Sequence, residues 1–155
     1  MSQMLAVAIK LIADRTGSER DLRRRLEKEF VDLPDLDQRL DECMARLREL
    51  HLINDNRLAE NLAQRYSHKG NRFIAQILRQ KGVDDEVIAT VLDSLEDEYS
   101  RALDEARRKG RRKTEKSVEE LKANLVRFLS GRGFSHDTIK AVMRDLKDEG
   151  FFYVE

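Results

Sequence analysis

The chain has 155 residues, enough for one ordinary domain or for several small modules sharing a core. It is 39% charged, 40% hydrophobic and 6% aromatic, with one Pro and no Trp. That composition points to an all-helical fold, and the periodic apolar residues argue against whole-chain disorder. Thirty basic side chains balance thirty acidic ones, which argues against a protein that coats nucleic acid by bulk charge.

A single Cys excludes an intramolecular disulfide framework, and the Met-Ser-Gln start lacks the basic and apolar regions of a signal peptide. No apolar run approaches the roughly 20 residues of a membrane helix. A soluble, cytoplasmic protein is expected.

In chain order, a first helix is expected near residues 6–13. A second follows, with Leu22 and Leu26 on its inner face. The stretch "EKEFVDLPDLDQ" then leads to a third, whose Leu40, Cys43, Met44 and Leu47 have the spacing i, i+3, i+4, i+7 of one helical face. Pro34 and its neighbouring acids suit a helix start, although the capping residue is ambiguous. "HLINDN", residues 51–56, reads as a helix N-cap region, and a helix is expected over residues 55–66 (Leu58, Leu62, Tyr66).

The next two helices form a corner. Ile74, Ile77 and Leu78 make a stripe that stops at Gly82, a residue suited to the left-handed position after a helix. Asp84 is a good N-cap for the next helix, with Val83 and Ile88 placed as a hydrophobic staple. Ile88, Val91, Leu92 and Leu95 repeat the stripe spacing. After another helical segment over residues 98–109, the same device returns. Leu121, Leu125, Phe128 and Leu129 stop at Gly133; Ser135 is the cap; Phe134 and Ile139 are the staple; Ile139, Val142, Met143 and Leu146 are the stripe.

These elements predict an all-α fold of tandem three-helix modules, nine helices in all, with modules at residues 1–52, 53–96 and 97–155. The first corner is looser, with about four extra residues and no Gly. A unit near 50 residues is too small to be comfortable alone, so neighbouring modules are expected to pack together.

Charge is laid down in blocks. Residues 65–82 hold Arg65, Lys69, Arg72, Arg79 and Lys81 with no acid; residues 84–98 hold seven acids and no base. "RRKGRRKTEK", residues 107–116, sets seven cations against Glu115 alone. A DNA-reading helix-turn-helix would expose Arg, Asn, Gln or Lys on its second helix. Here that helix exposes Asp84, Asp85, Glu86 and Asp93, which phosphates would repel. The candidate contact residues are instead basic: Arg24, Lys69, Arg72, Arg79, Arg107, Arg108, Arg111, Arg112 and Lys113. For any one of them the bland alternative is a solvated face with i, i+4 ion pairs.

Catalysis finds little support. His51, His68 and His136 are scattered without a second ligand at i+3 or i+4, Cys43 lies on an apolar stripe, and no phosphate loop is present. Tyr66, Tyr99, Tyr153 and the terminal "GFFYV" read as covers for core edges. No enzyme activity, catalytic residue, cofactor or metal is expected. A monomer is expected, since no heptad run is left over after the core stripes.

Four stretches, "GSERDLRRRLEKEF" (17–30), "LHLINDNRLAENLAQRYSHKG" (50–70), "NRFIAQILRQKGVDDEVI" (71–88) and "LVRFLSGRGFSHDTI" (125–139), occur in an order and spacing that resemble the RecX family, bacterial modulators of the recombinase RecA. "IND" at 53–55 departs from the family's more frequent "LDD" or "LND". The resemblance implies an elongated, curved array of three-helix repeats. It also implies binding in the groove of the RecA–single-stranded-DNA filament, with inhibition of ATP hydrolysis, strand exchange and co-protease activity, and at most weak direct DNA contact. The competing reading is a helical nucleic-acid-binding or architectural protein that acts without a recombinase.

Overall fold

The computed structural model describes residues 2–14, 17–111 and 117–152. Among them are nine α-helices and no strand: α1 (Gln3–Ala13), α2 (Glu19–Glu29), α3 (Leu36–Glu49), α4 (Asp55–Arg65), α5 (Asn71–Gln80), α6 (Asp85–Ser94), α7 (Glu98–Gly110), α8 (Val118–Gly131) and α9 (His136–Asp148). None is long and apolar enough to cross a membrane. Helix α1 starts earlier than its apolar pattern suggests. The Ser2 hydroxyl accepts the N–H of Leu5 at 3.1 Å and so sets the start three residues upstream.

Two compact units emerge. The first comprises Met1–Asn61 and Leu78–Val91; the second comprises Leu62–Ile77 and Leu92–Glu155. In the first, Met4, Leu5 and Ala8 of α1, Leu22 and Leu26 of α2, and Leu40, Cys43, Met44 and Leu47 of α3 form one buried cluster. In the second, Ala102 and Ala106 of α7, Leu121, Leu125 and Leu129 of α8, and Ile139, Val142 and Leu146 of α9 bury together with Phe134 and Phe152. The expected stripes are thus core. Their third members Leu92 and Met143 are only half-buried.

Both glycine corners have the same hydrogen bonding. Gly82 has φ +84°; its N–H donates to the Arg79 carbonyl at 2.9 Å, and that of Val83 donates to Leu78 at 3.0 Å. Gly133 has φ +86°, with the equivalent bonds to Ser130 and Leu129 at 3.0 and 3.2 Å. This is the Schellman pattern, which satisfies carbonyls that a helix end leaves orphaned. Val83 and Ile88, and Phe134 and Ile139, are all buried as a staple requires. The Ser135 hydroxyl caps α9 through the N–H of Thr138 at 3.2 Å. Helix α3 ends in the same pattern at His51, a non-glycine residue held at φ 57°. The corner between α2 and α3 differs, as its sequence suggests. Asp35 precedes α3 in the left-handed region at φ 57° and makes no side-chain cap.

Each unit contains one seam between successive three-helix groups, and the seams are built alike. In the first unit the N–H of Ser18, before α2, donates to the Lys81 carbonyl at 3.0 Å, and the N–H of Glu19 donates to Asp55 Oδ1 at 2.9 Å. In the second, the N–H of Gly70, before α5, donates to the Arg132 carbonyl at 2.8 Å, and that of Asn71 donates to Glu98 Oε2 at 2.7 Å. Lys81 and Arg132 are the residues just before the corner glycines, while Asp55 and Glu98 are the first residues of α4 and α7. The first amides of each receiving helix, left unpaired by the helix itself, are therefore satisfied by the group that follows in sequence.

Candidate partner-binding surface

The sequence-predicted contact residues fall in both units. Arg24, exposed on α2, and Arg79, at the end of α5, belong to the first. Arg79 is matched with Asp85 at 3.2 Å. Lys69, Arg72, Arg107, Arg108 and Arg111 belong to the second. Arg72 and Arg111 are exposed, whereas Arg107 pairs with Glu149 at 2.8 Å. Arg112 and Lys113 lie outside the described residues.

Lys69 and Arg108 are brought together with two cations that are not among the sequence-predicted contacts, Lys109 and Arg132. Glu105, on α7 and buried, pairs with Arg108 at 3.3 Å and with Arg132 at 3.6 Å. The Arg132 guanidinium lies 4.5 Å from the centroid of the Phe128 ring, and Lys109 Nζ lies 5.5 Å from the same centroid. Lys69 Nζ sits 4.8 Å from the centroid of Phe73, whose ring contacts Tyr66 in turn. Tyr66 is half-buried here, while Tyr99 packs on the core and bonds Asp145, and so covers a core edge as expected. Tyr153 lies outside the described residues.

A signal for Arg132 was present in the sequence. Phe128 and Arg132 are four residues apart on one helical face, as are Lys69 and Phe73 at a helix start. His68 reports the resulting field. Burial pushes its pKa below the ordinary value, and the charges of Arg132 and Lys69 push it the same way.

A buried guanidinium and a half-buried carboxylate hold the segment that presents His68 and Lys69. Arg101, 5% exposed, donates to the carbonyls of Glu96 at 2.7 Å and Ser67 at 3.1 Å, and also to the Lys69 carbonyl and Asn71 Oδ1. Glu98 accepts from the Asn71 N–H at 2.7 Å, the Thr138 hydroxyl at 2.7 Å and the Ser135 N–H at 3.2 Å. Burial raises the Glu98 pKa, but the bonds from Thr138, Asn71 and Ser135 outweigh it and hold the carboxyl below its ordinary value. Its counterpart Asp55 shows the opposite balance. Burial raises its pKa; the Glu19 amide opposes this, and the charges of Glu19, Asp84 and Asp21 add to the rise.

No group of three His, Cys, Asp or Glu side chains among the described residues could hold a metal ion. Cys43 is a buried free thiol whose pKa is raised by burial, which makes it a poor nucleophile.

Two family models match this chain. One, described as the second three-helix domain of RecX, covers residues 54–92; the other, the third three-helix domain of RecX, covers residues 96–143. A regulatory protein RecX from Chromobacterium violaceum is 34% identical over 151 residues, which span 95% of this chain and 93% of the relative. The chain belongs to the RecX family. Another regulatory protein RecX, from Legionella pneumophila, is 29% identical over 95% of this chain and 97% of the relative. The crystal structure of RecX from Lactobacillus salivarius superposes with a TM-score of 0.72 at 20% identity, covering 95% and 99% of the two chains; that likeness concerns the fold. The matched RecX domains start beside the seam acids: residue 54 precedes Asp55 and residue 96 lies two before Glu98. The relatives are named as regulators, in keeping with a RecX regulatory role for this chain.

Proposed function

We propose that this RecX-family chain binds the RecA–single-stranded-DNA filament in its groove and restrains ATP hydrolysis, strand exchange and co-protease activity. The reading is carried by the relation to RecX regulators over nearly the full length of both chains. Its cellular setting is the cytoplasmic machinery of DNA repair, recombination and the SOS response, and the chain acts there as a monomer of three modules at residues 1–52, 53–96 and 97–155. Arg24, Lys69, Arg72, Arg79, Arg107, Arg108, Arg111, Arg112 and Lys113 are the proposed contacts.

The mechanism needs no chemistry from this chain. A ligand that binds one state of a filament better than another shifts the filament toward that state by its difference in affinity. Helical modules arranged in tandem suit that task, because one chain can touch more than one protomer.

The test is a titration into a RecA ATPase assay on single-stranded DNA. Inhibition at low micromolar concentration is expected. Full ATPase activity at that concentration, together with tight salt-dependent binding to bare DNA, would replace this reading with an architectural nucleic-acid-binding protein.

A further inference from the structure

The second unit carries a set of cations that are oriented without being neutralised. Elsewhere, Arg23 with Asp41, Arg48 with Glu19, Arg79 with Asp85 and Arg107 with Glu149 are each matched to a carboxylate. Around α7 and the α8–α9 corner, Arg108 and Arg132 share the single buried Glu105. Lys69 and Lys109 are steadied by the faces of Phe73 and Phe128. An aromatic face holds a cation without cancelling its charge, so the patch keeps a positive excess. Arg108, Lys109 and Arg132 line a concavity of about 220 Å³ floored by Glu105 and Phe128. The neighbouring cavity, which shares Glu105 and Arg108, includes the acids Glu96 and Asp104 and so bounds the positive area on that side.

We propose that Lys69, Arg108, Lys109 and Arg132 form a docking surface for the phosphodiester backbone of a single-stranded nucleic acid. Phosphate contacts made by Lys and Arg give affinity and position without reading sequence. A protein partner would look for a buried apolar anchor, and here the rings lie beneath cations. A duplex groove would look for a basic helix to enter it, and α9, the second helix of this corner, carries Asp137 in its first turn. A flexible strand needs neither and can lay its phosphates across a shallow surface. Within the filament proposed above, on which this placement rests, the patch touches the DNA strand itself.

The test uses the full chain and a fluorescent oligothymidylate, read by anisotropy across a salt series. With up to four phosphates contacted, log affinity against log salt should fall with a slope of about −2 to −3. The variant Lys69→Gln/Arg108→Gln/Lys109→Gln/Arg132→Gln, checked for folding by circular dichroism, should lose at least about tenfold in affinity at low salt and most of the slope. A control with the same loss of charge, Arg25→Gln/Lys28→Gln/Lys140→Gln/Lys147→Gln, should bind as the parent does. Lys69→Arg/Lys109→Arg keeps the charge and should keep binding even if the neutralised variant misfolds. Failure of the parent chain to bind the oligonucleotide at low salt, equal loss in the control, or tighter binding of a poly-glutamate peptide to the same four residues overturns the proposal. Filament inhibition is scored separately: a parent chain that leaves RecA ATPase untouched refutes the filament reading, whatever the oligonucleotide result.

Discussion

At the scale of single residues, glycines separate into those the backbone needs and those it does not. A Cβ at Gly70 would lie within the radii of the Gly133 carbonyl and the Phe134 nitrogen, and one at Gly133 would stand 2.7 Å from Phe73 Cβ. At Gly131, the end of α8, a Cβ would meet nothing within 4 Å. Gly70→Ala should therefore cost about 3 kcal/mol or more by forcing the seam apart, on the scale of overpacked cores. Gly131→Ala should gain up to about 0.5–1 kcal/mol by removing unfolded-state freedom. Urea denaturation of the two variants beside the parent decides this; similar midpoints would show that the seam does not need the close backbone approach. The sequence marked Gly82 and Gly133 through their place after apolar stripes. It did not mark Gly70, because the clash there is with a segment more than 60 residues away.

At the scale of elements, the two seams share a geometry and oppose each other electrostatically. Glu98 has a folded pKa below its ordinary 4.5, so the stability it contributes is present above that value and is lost as pH falls through the lower folded value. Asp55 is raised above its ordinary 3.8; the folded state holds its proton more tightly, so its ionisation costs stability as pH rises through the raised value. Glu98→Gln should then destabilise by about 2 kcal/mol at neutral pH, the range of hydrogen bonds to a charged group, with the deficit vanishing in acid. Asp55→Asn keeps an oxygen for the Glu19 amide and removes the repulsion, so it should be at least as stable as the parent at neutral pH. Denaturation midpoints of both variants between pH 3.5 and 7.5 test the pair, and two curves with the same sign would contradict it.

Helix existence, the corner glycines, the staples and the Ser135 cap were all legible, since each depends on residues within about ten positions of one another. The start of α1 was not, because Ser2 lies outside the apolar pattern it caps. Nor were the partners of Asp55 and Glu98, which look like ordinary first-turn acids until the fold brings a second helix start beside them. The cation cluster around α7 and the α8–α9 corner was half legible. Lys69, Arg108 and Lys109 stand in visible basic runs, whereas Arg132 stands alone between two glycines.

At the scale of the whole molecule, the residues of α4, α5 and α6 are each divided between the two compact units, although the family models count them as one three-helix domain. The seams account for the difference: a repeat in sequence is completed by groups from the repeat that follows. Whole-molecule charge has its own consequence. Thirty cations and thirty anions place the isoelectric point near 6.9, so self-repulsion is weakest at neutral pH. Solubility at low salt should pass through a minimum there and rise on either side. Precipitation curves against pH check this, and a minimum more than about one unit away would mean that surface charges are strongly perturbed.

Because every seam draws on the same few positions, the array is open to lengthening by duplication. A second copy of residues 54–95 spliced in after Leu95 brings its own Asp55 for the Asn71 amide and its own Lys81–Gly82 corner for Gly70. It also brings a fresh Gly70 and Asn71 to receive Arg132 and Glu98. The graft leaves no helix start unpaired, so a four-module chain is reachable in one step, with no compensating substitution in the modules on either side.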